Sequence, residues 1–168
     1  QEIETVSRFV ESMASLKYNL FHWHLTDYPG YRIESKRYPI LNKPSSYRQT
    51  RQPGRYYSFQ EIRGLFRKAH ALGVEVLPEI DMPGHSEYFN TAFGFGMQDP
   101  RGMKICAELL EEFCQEVVLP LRAEGVAIRR FHLGSDEVRV TNKDFLPRMI
   151  EVLRGHGLEV VVWRPGAL

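Results

Sequence analysis

The sequence predicts an α/β fold in which parallel strands alternate with helices. Two observations carry that expectation. Short apolar runs beginning near Asn19, Val74, Ile128 and Leu158 read as four strands, and amphipathic helical segments lie between them. Each run also ends in polar residues on its C-terminal side. Repeated βα units pair their strands in parallel, and right-handed crossovers set the helices on one side of the sheet or on both.

Ile3, Val6, Phe9, Val10, Met13 and Leu16 recur at helical spacing, so residues 2–17 should form an amphipathic helix with these side chains on one face. Asn19 to Leu25 is the first strand, with Phe21 and Trp23 on one face and Leu20, His22 and His24 on the other. A loop rich in Pro, Gly, Tyr and Arg runs to about residue 57. Ser58 and Glu61 have the Ser-x-x-Glu spacing of a capping box. Ile62, Leu65, Phe66, Ala69 and Leu72 continue that helix, and Gly73 stops it. Val74 to Ile80 is the second strand. A Pro/Gly loop follows, with an aromatic and glycine-rich piece near Phe93 to Met97. Residues 103–124 form a third helix that breaks or ends at Pro120. Ile128 to Leu133 is the third strand. Residues 144–154 form a fourth helix with Asp144 as its cap, and Leu158 to Trp163 is the fourth strand.

The 168 residues carry 22 Lys and Arg against 21 Asp and Glu, and 43% of them are hydrophobic. Those proportions belong to a globular chain and exclude disorder as its main description. A net charge of +1 gives no support to a nucleic-acid partner. No apolar run approaches the ~20 residues that span a bilayer, and Leu158 to Trp163 is itself broken by Glu159. Length alone suggests one domain. Cys106 and Cys114 are separated by ~12 Å along the third helix, beyond the ~7 Å reach of a disulfide. They should be buried free thiols, and two thiols are too few for a structural zinc site. The chain opens on Gln1 rather than Met and shows no signal sequence, so its natural start is expected to have been cut away, and targeting information with it. No Gly-x-Gly-x-x-Gly follows a strand and no P-loop pattern occurs, which disfavours a dinucleotide-binding sheet.

The chemistry is concentrated at the strand ends. They read His22-Trp23-His24-Leu25-Thr26-Asp27, Pro78-Glu79-Ile80-Asp81-Met82-Pro83-Gly84-His85, His132-Leu133-Gly134-Ser135-Asp136-Glu137 and Trp163-Arg164-Pro165-Gly166. Alternate residues of a strand share a face. His22 with His24, Glu79 with Asp81, and His132 with Gly134 therefore point one way, while Phe21, Trp23, Val76, Phe131 and Leu133 point to the helices. Polar groups gathered at one end of parallel strands are costly to bury without partners. In a (β/α)8 barrel that end holds the active site.

Two chemistries fit these residues. In the first, the neighbours Asp136 and Glu137 point in different directions; one donates a proton while the other holds substrate, and a nearby His-Asp pair tunes the donor. In the second, His22 and His24 form a His-x-His pair. With His85, His132 and Asp136 they offer enough nitrogen and oxygen ligands for zinc or another divalent ion. Taken singly, Asp81 also fits a turn residue, and Asp136-Glu137 an acidic pair at a helix start.

The run Tyr18-Asn19-Leu20-Phe21-His22-Trp23-His24-Leu25-Thr26-Asp27, followed by Gly30-Tyr31-Arg32-Ile33-Glu34, resembles the second barrel strand of family 20 glycoside hydrolases, the β-N-acetylhexosaminidases. Leu77-Pro78-Glu79-Ile80-Asp81-Met82-Pro83-Gly84-His85-Ser86 is similar to their third strand and its loop. Phe131-His132-Leu133-Gly134-Ser135-Asp136-Glu137-Val138 is similar to the fourth, with its pattern His-x-Gly-Gly-Asp-Glu, and Val161-Val162-Trp163 to the fifth. The resemblance covers nearly the whole chain.

This resemblance implies a partial (β/α)8 TIM barrel of about four parallel strands, barrel strands 2–5. It implies hydrolysis of terminal non-reducing β-linked GlcNAc or GalNAc on a glycan, with retention, by substrate assistance and without an enzyme nucleophile or cofactor. The sugar's 2-acetamido oxygen attacks its own C1 and gives an oxazolinium intermediate. In that scheme Glu137 is the acid and then the base, and Asp136 binds the acetamido N–H. His85 and Asp27 support the acid through a hydrogen-bond relay. Trp163 walls the acetamido pocket, and His132 belongs to the substrate-binding set. No metal is required. The resemblance also suggests an exported or lysosomal setting.

The sequence departs from the family pattern in four places. Ser135 stands for the second Gly, Tyr28 for the usual second Asp after Thr-Asp, Tyr31 for the usual Trp before Arg, and Arg164-Pro165 for the acidic residue that follows the fifth-strand Trp. A complete barrel takes ~250 residues. The chain is therefore expected to be one barrel segment, 1–168, incomplete at both ends. Its open sheet edges invite self-association, and alone it should have little glycosidase activity. A sugar-binding domain without turnover is a third reading, and Ser135 is its main hint.

Overall fold

The computed structural model describes residues 2–163. Helix α1 (Ile3–Ser15) leads into strand β1 (Leu20–His24). A short antiparallel hairpin follows, β2 (Thr26–Asp27) with β3 (Gly30–Tyr31). After a long loop holding two 3₁₀ turns come α2 (Phe59–Ala71), β4 (Glu75–Glu79) and α3 (Glu87–Phe93). Then follow α4 (Pro100–Phe113), α5 (Leu119–Ala123), β5 (Arg130–His132), α6 (Phe145–Gly155) and β6 (Glu159–Val161). The main sheet is parallel with the order β1-β4-β5-β6, so each crossover adds the next strand on the same side, as the βα reading expects. Among the described residues β1 and β6 are each paired on one side only.

The helices follow from local rules. Ser58 caps α2 through its side chain, and Glu61 returns a bond to the Ser58 N–H, which completes the capping box. Gly73 closes the same helix at φ 73°, a left-handed conformation that suits glycine. Asp99 caps α4 by accepting the Arg101 N–H at 2.9 Å, with Pro100 in the first turn.

Four local expectations need correction. The apolar stripe of α1 is narrower than its spacing implies: Val6 and Val10 are buried, but Phe9 is 51% and Leu16 70% exposed. The chain between β4 and α4 is not all loop, because α3 forms there and buries Tyr88 and Phe89. Seven residues are too few for a helical period to stand out. The third helix does not break at Pro120. A π turn over Cys114–Val118 intervenes, and Pro120 falls in the first turn of α5, where its missing N–H costs nothing. Asp144 makes no side-chain cap to α6. Cys106 and Cys114 are buried and free, as expected, and burial pushes both thiols up.

The core lies between the sheet and the helices. Trp23, Val76, Phe131 and Leu133 are buried in one cluster with Ile62, Phe66, Phe113 and Met149 from the helices, while Phe21 packs against it partly buried. α1 contacts α2, α2 contacts β4, α4 contacts α6, and α6 contacts β6, so each helix closes over its own crossover. One buried carboxylate fastens the long loop to this layer. Glu112 of α4 is 3% exposed and accepts Ser35 Oγ–H at 2.7 Å, Lys36 N–H at 2.8 Å and Arg37 N–H at 2.9 Å. No helix among the described residues is long and apolar enough to cross a membrane.

Candidate active site

Strand register sets the site. His24 lies opposite Glu79, Glu79 opposite His132, and His132 opposite Val161. The C-terminal residues of neighbouring strands therefore stand in one transverse row. Each strand then releases its loop from that level, and the loops carry Asp27, His85 and the segment Gly134 to Glu137.

The first set of side chains is a relay. His85 Nδ1 lies 2.8 Å from Asp27 Oδ1, and His85 Nε2 lies 2.9 Å from Glu137 Oε2. Asp27 is oriented by the β2–β3 hairpin and by the Tyr28 N–H, which donates to Oδ1 at 2.6 Å. With Nδ1–H donated to Asp27, Nε2 offers either a lone pair to a protonated Glu137 or, when the ring is charged, a second N–H to its carboxylate. Burial works to lower the His85 pKa, but the bonds to Asp27 and Glu137 outweigh it and raise it. The Glu137 carboxylate is 68% exposed on its side chain, so it faces the open end of the site.

The loop that carries Glu137 is held in an unusual conformation. Gly134, Ser135 and Glu137 have φ of 67°, 70° and 59°, and His85 has 47°. Left-handed conformations of non-glycine residues cost about 1 kcal/mol or more each and gather at functional sites. Ser135 is buried and offsets its cost with bonds: Oγ–H donates to the Met82 carbonyl at 2.9 Å, and N–H to Asp81 Oδ1 at 3.4 Å. Asp136 follows, half-buried, and its carboxylate has no hydrogen bond or ion pair among the described residues. Its backbone carbonyl accepts the Val138 N–H at 2.7 Å, which tightens the turn.

The second set surrounds Glu79, which is 0% exposed. His22 Nε2 and His24 Nδ1 lie 2.7 Å and 3.0 Å from its Oε2. His132 Nδ1 lies 3.2 Å from Oε1, and the Trp163 indole N–H donates to Oε1 at 3.2 Å. Burial works to raise the Glu79 carboxyl, but the imidazoles of His132, His22 and His24 outweigh it and hold it well below the usual carboxylate range. Asp81 shows the opposite balance. Burial and the charge of Glu79 push it up to about 6.

Trp163 is anchored twice, by this bond and by its N–H to the Gly134 carbonyl at 3.0 Å. Its ring packs on His132 at 4.6 Å and His22 at 5.2 Å between centroids, and about half of it remains exposed.

The structure thus joins Asp27, His85 and Glu137, and separately gathers His132 and Trp163 around Glu79. The five residues considered as a metal set, His22, His24, His85, His132 and Asp136, do not converge as one. His85 is engaged with Asp27 and Glu137, while the ligand-spaced groups are His22, Glu79 and His132, and His24, Glu79 and Asp81. Sequence reasoning placed Glu79 and Asp81 on the inward face but gave neither a role. The available signal was a charged residue at the end of the otherwise apolar run Val76-Leu77-Pro78. Arg164 and Pro165 lie outside the described residues.

The model of the glycosyl hydrolase family 20 catalytic domain matches residues 1–163. The chain belongs to that family. A β-hexosaminidase of Vibrio furnissii is 40% identical over 96 residues, covering 50% of this chain and 16% of its own length. The solved β-N-acetylhexosaminidase of Bacteroides fragilis is 27% identical, covers 97% of this chain and 38% of its own, and superposes with a TM-score of 0.80. A mutant β-hexosaminidase of Streptomyces plicatus, solved in complex with its product GlcNAc, is 25% identical over 97% of this chain and 36% of its own, with a TM-score of 0.80. The four-stranded sheet is accordingly part of a family 20 TIM barrel. The chain spans less than a third of the length of the curated relatives it matches.

Proposed function

We propose that this chain is the strand 2–5 portion of a family 20 catalytic barrel, and that the complete barrel cleaves terminal non-reducing β-linked N-acetylhexosamine from glycans by substrate assistance. The Asp27–His85–Glu137 relay, in a chain of this family, is the observation that supports the reading. Glu137 protonates the leaving glycosidic oxygen while the substrate's acetamido oxygen forms the new bond to C1. Water then opens the oxazolinium ring, giving its proton back to Glu137. His85 holds Glu137 and steadies its proton in both steps, and Asp27 fixes the ring through Nδ1. The unpaired carboxylate of Asp136 takes the acetamido N–H, which aims the internal nucleophile. Trp163 and His132 form the wall against which the acetamido group packs.

Release of chromophore from an aryl β-N-acetylglucosaminide tests this. The complete barrel should turn over, lose activity with Glu137→Gln, and be indifferent to chelator. Turnover that survives Glu137→Gln but stops on chelation would favour a metal hydrolase instead. GlcNAc binding without turnover would favour a lectin-like domain.

The isolated chain should self-associate and hydrolyse little. A groove of about 900 Å³ lines the unpaired edge of β1, between α1 and the 50–57 loop, and exposes parts of Phe9, Phe21 and Arg55. An open edge beside apolar side chains pairs readily with a second copy. Light scattering that found only monomer would contradict this.

A further inference from the structure

Glu137 is placed by its backbone more than by its side chain. Among the described residues its carboxylate has one hydrogen-bonded partner, His85. It lies in the stretch between β5 and α6, where the backbone forms neither helix nor strand. The near side of that stretch is fixed by Ser135 Oγ–H on the Met82 carbonyl and by the Trp163 N–H on the Gly134 carbonyl. The far side is fixed by one side chain from another loop, Gln98. Its Nε2–H donates to the Arg139 carbonyl at 3.1 Å. Its Oε1 accepts the Thr141 N–H at 2.6 Å, the Thr141 Oγ1–H at 3.1 Å and the Asn142 N–H at 3.1 Å. The Asn142 side-chain amide donates back to the Gln98 carbonyl at 3.1 Å. These partners allow one orientation of the Gln98 amide, because a flip would set its NH2 against two N–H groups. Gln98 itself stands on a firm base. Its neighbours are Met97, which is buried, and Asp99, which caps α4. A Cβ on Gly102 of α4 would overlap the Gly96 carbonyl and the Met97 backbone, so the chain before Gln98 packs directly on that helix.

We propose that Gln98 is a positioning residue for Glu137: by tying Arg139, Thr141 and Asn142 to the start of α4, it sets where the Glu137 carboxylate meets His85 and the glycosidic oxygen. The proposal rests on the reading of Glu137 as the acid. Gln98 touches no reacting atom and acts through the backbone that follows Glu137. A catalytic group misplaced by ~1 Å can lose about a hundredfold in rate. Asp136 lies on the side of the stretch that Ser135 holds, so substrate binding depends on Gln98 less than turnover does.

The test uses the complete barrel and two readouts. One is kcat and KM on an aryl β-N-acetylglucosaminide. The other is the titration midpoint of His85 by NMR with ring-labelled histidine, assigned with His85→Gln. Glu137 raises that midpoint, while Asp27, Asp81 and His24 also face the ring and are common to all the variants. Gln98→Met keeps the shape of the side chain and removes every bond of its amide. It should lower kcat at least about tenfold with KM within about threefold, and bring the His85 midpoint down toward that of Glu137→Gln. Gln98→Glu keeps the accepting oxygen and should recover most of both. Arg122→Met is the control for plain destabilisation. It loses bonds to the Ile128, His156 and Gly157 carbonyls, before β5 and β6 and so at the opposite strand ends, and should lower the melting temperature without moving either readout. Unchanged kcat or an unmoved His85 midpoint in Gln98→Met overturns the proposal. So does an equal loss in Gln98→Glu, or in Arg122→Met at the same melting temperature. If the unaltered barrel leaves the glycoside intact, the acid reading fails instead, and the His85 midpoint still decides whether Gln98 holds Glu137.

Discussion

The space left by the absent side chain of Gly134 is filled by the carboxylate of Asp81. A Cβ on Gly134 would overlap Asp81 Oδ1 and Cγ, at a backbone φ of 67°. The segment after β4 and the β5 loop are thereby fitted to each other. Gly134→Ala combines a left-handed alanine with overpacking, and should cost about 3 kcal/mol. Urea unfolding of the variant checks this. Because the same loop aims Asp136 and Glu137, its activity in a complete barrel should fall further than its stability suggests.

Ser135 makes a contrasting case. Its φ of 70° favours glycine, the residue of the family pattern, yet its Oγ–H bonds the Met82 carbonyl at 2.9 Å. Ser135→Gly relieves about 1 kcal/mol of backbone strain, loses a hydrogen bond of similar worth, and loosens the unfolded chain. Stability should change by less than about 1 kcal/mol in the same unfolding assay. Ser135→Ala keeps the strain and loses the bond, so it should be the more damaging of the two.

Glu112 is a buried polar anchor outside the site. Glu112→Ala leaves the Ser35 hydroxyl and two backbone N–H groups without their acceptor and should destabilise the chain by about 3 kcal/mol. Glu116→Ala removes only an exposed ion pair with Lys36 and should cost less than about 1 kcal/mol. Limited proteolysis should find the loop after Ser35 opened in the first variant and intact in the second.

The relay predicts a pH dependence with a definite sign. The His85 pKa is raised above its ordinary 6.5, so the folded protein holds that proton more tightly than the unfolded chain does. The stabilisation is complete below 6.5 and is lost as pH rises through the higher folded value. Melting temperature should therefore decline as pH rises above about 6.5. Asp27→Asn, which removes one of the two partners, should flatten that decline. An unchanged profile would show that the Asp27–His85 contact does not carry the shift.

Much of this was legible in the sequence, because the relevant signals are local. Ser58 and Glu61 announce a cap by spacing alone, and the alternation of Trp23 with His22 and His24 assigns each to its face. Asp27, His85 and Glu137 were legible through motif, since nothing in their spacing says that the fold brings Asp27 and Glu137 each within 3 Å of His85. What was not legible depends on tertiary fit. The π turn before Pro120 exists because the helix continues packing past a residue that cannot donate. Helix α3 is too short to show a period. Glu79 reads as a strand residue until His22, His24 and His132 arrive from neighbouring strands.

The transverse row of His24, Glu79 and His132 also acts as a reading frame for the sheet. A slip of one residue in β5 would put Leu133 among the imidazoles and turn His132 toward Phe113 and Met149. A polar group would be stranded in oil on one face and a carboxylate left without its neighbours on the other. The polar residues of the candidate site thus disfavour that slip of β5.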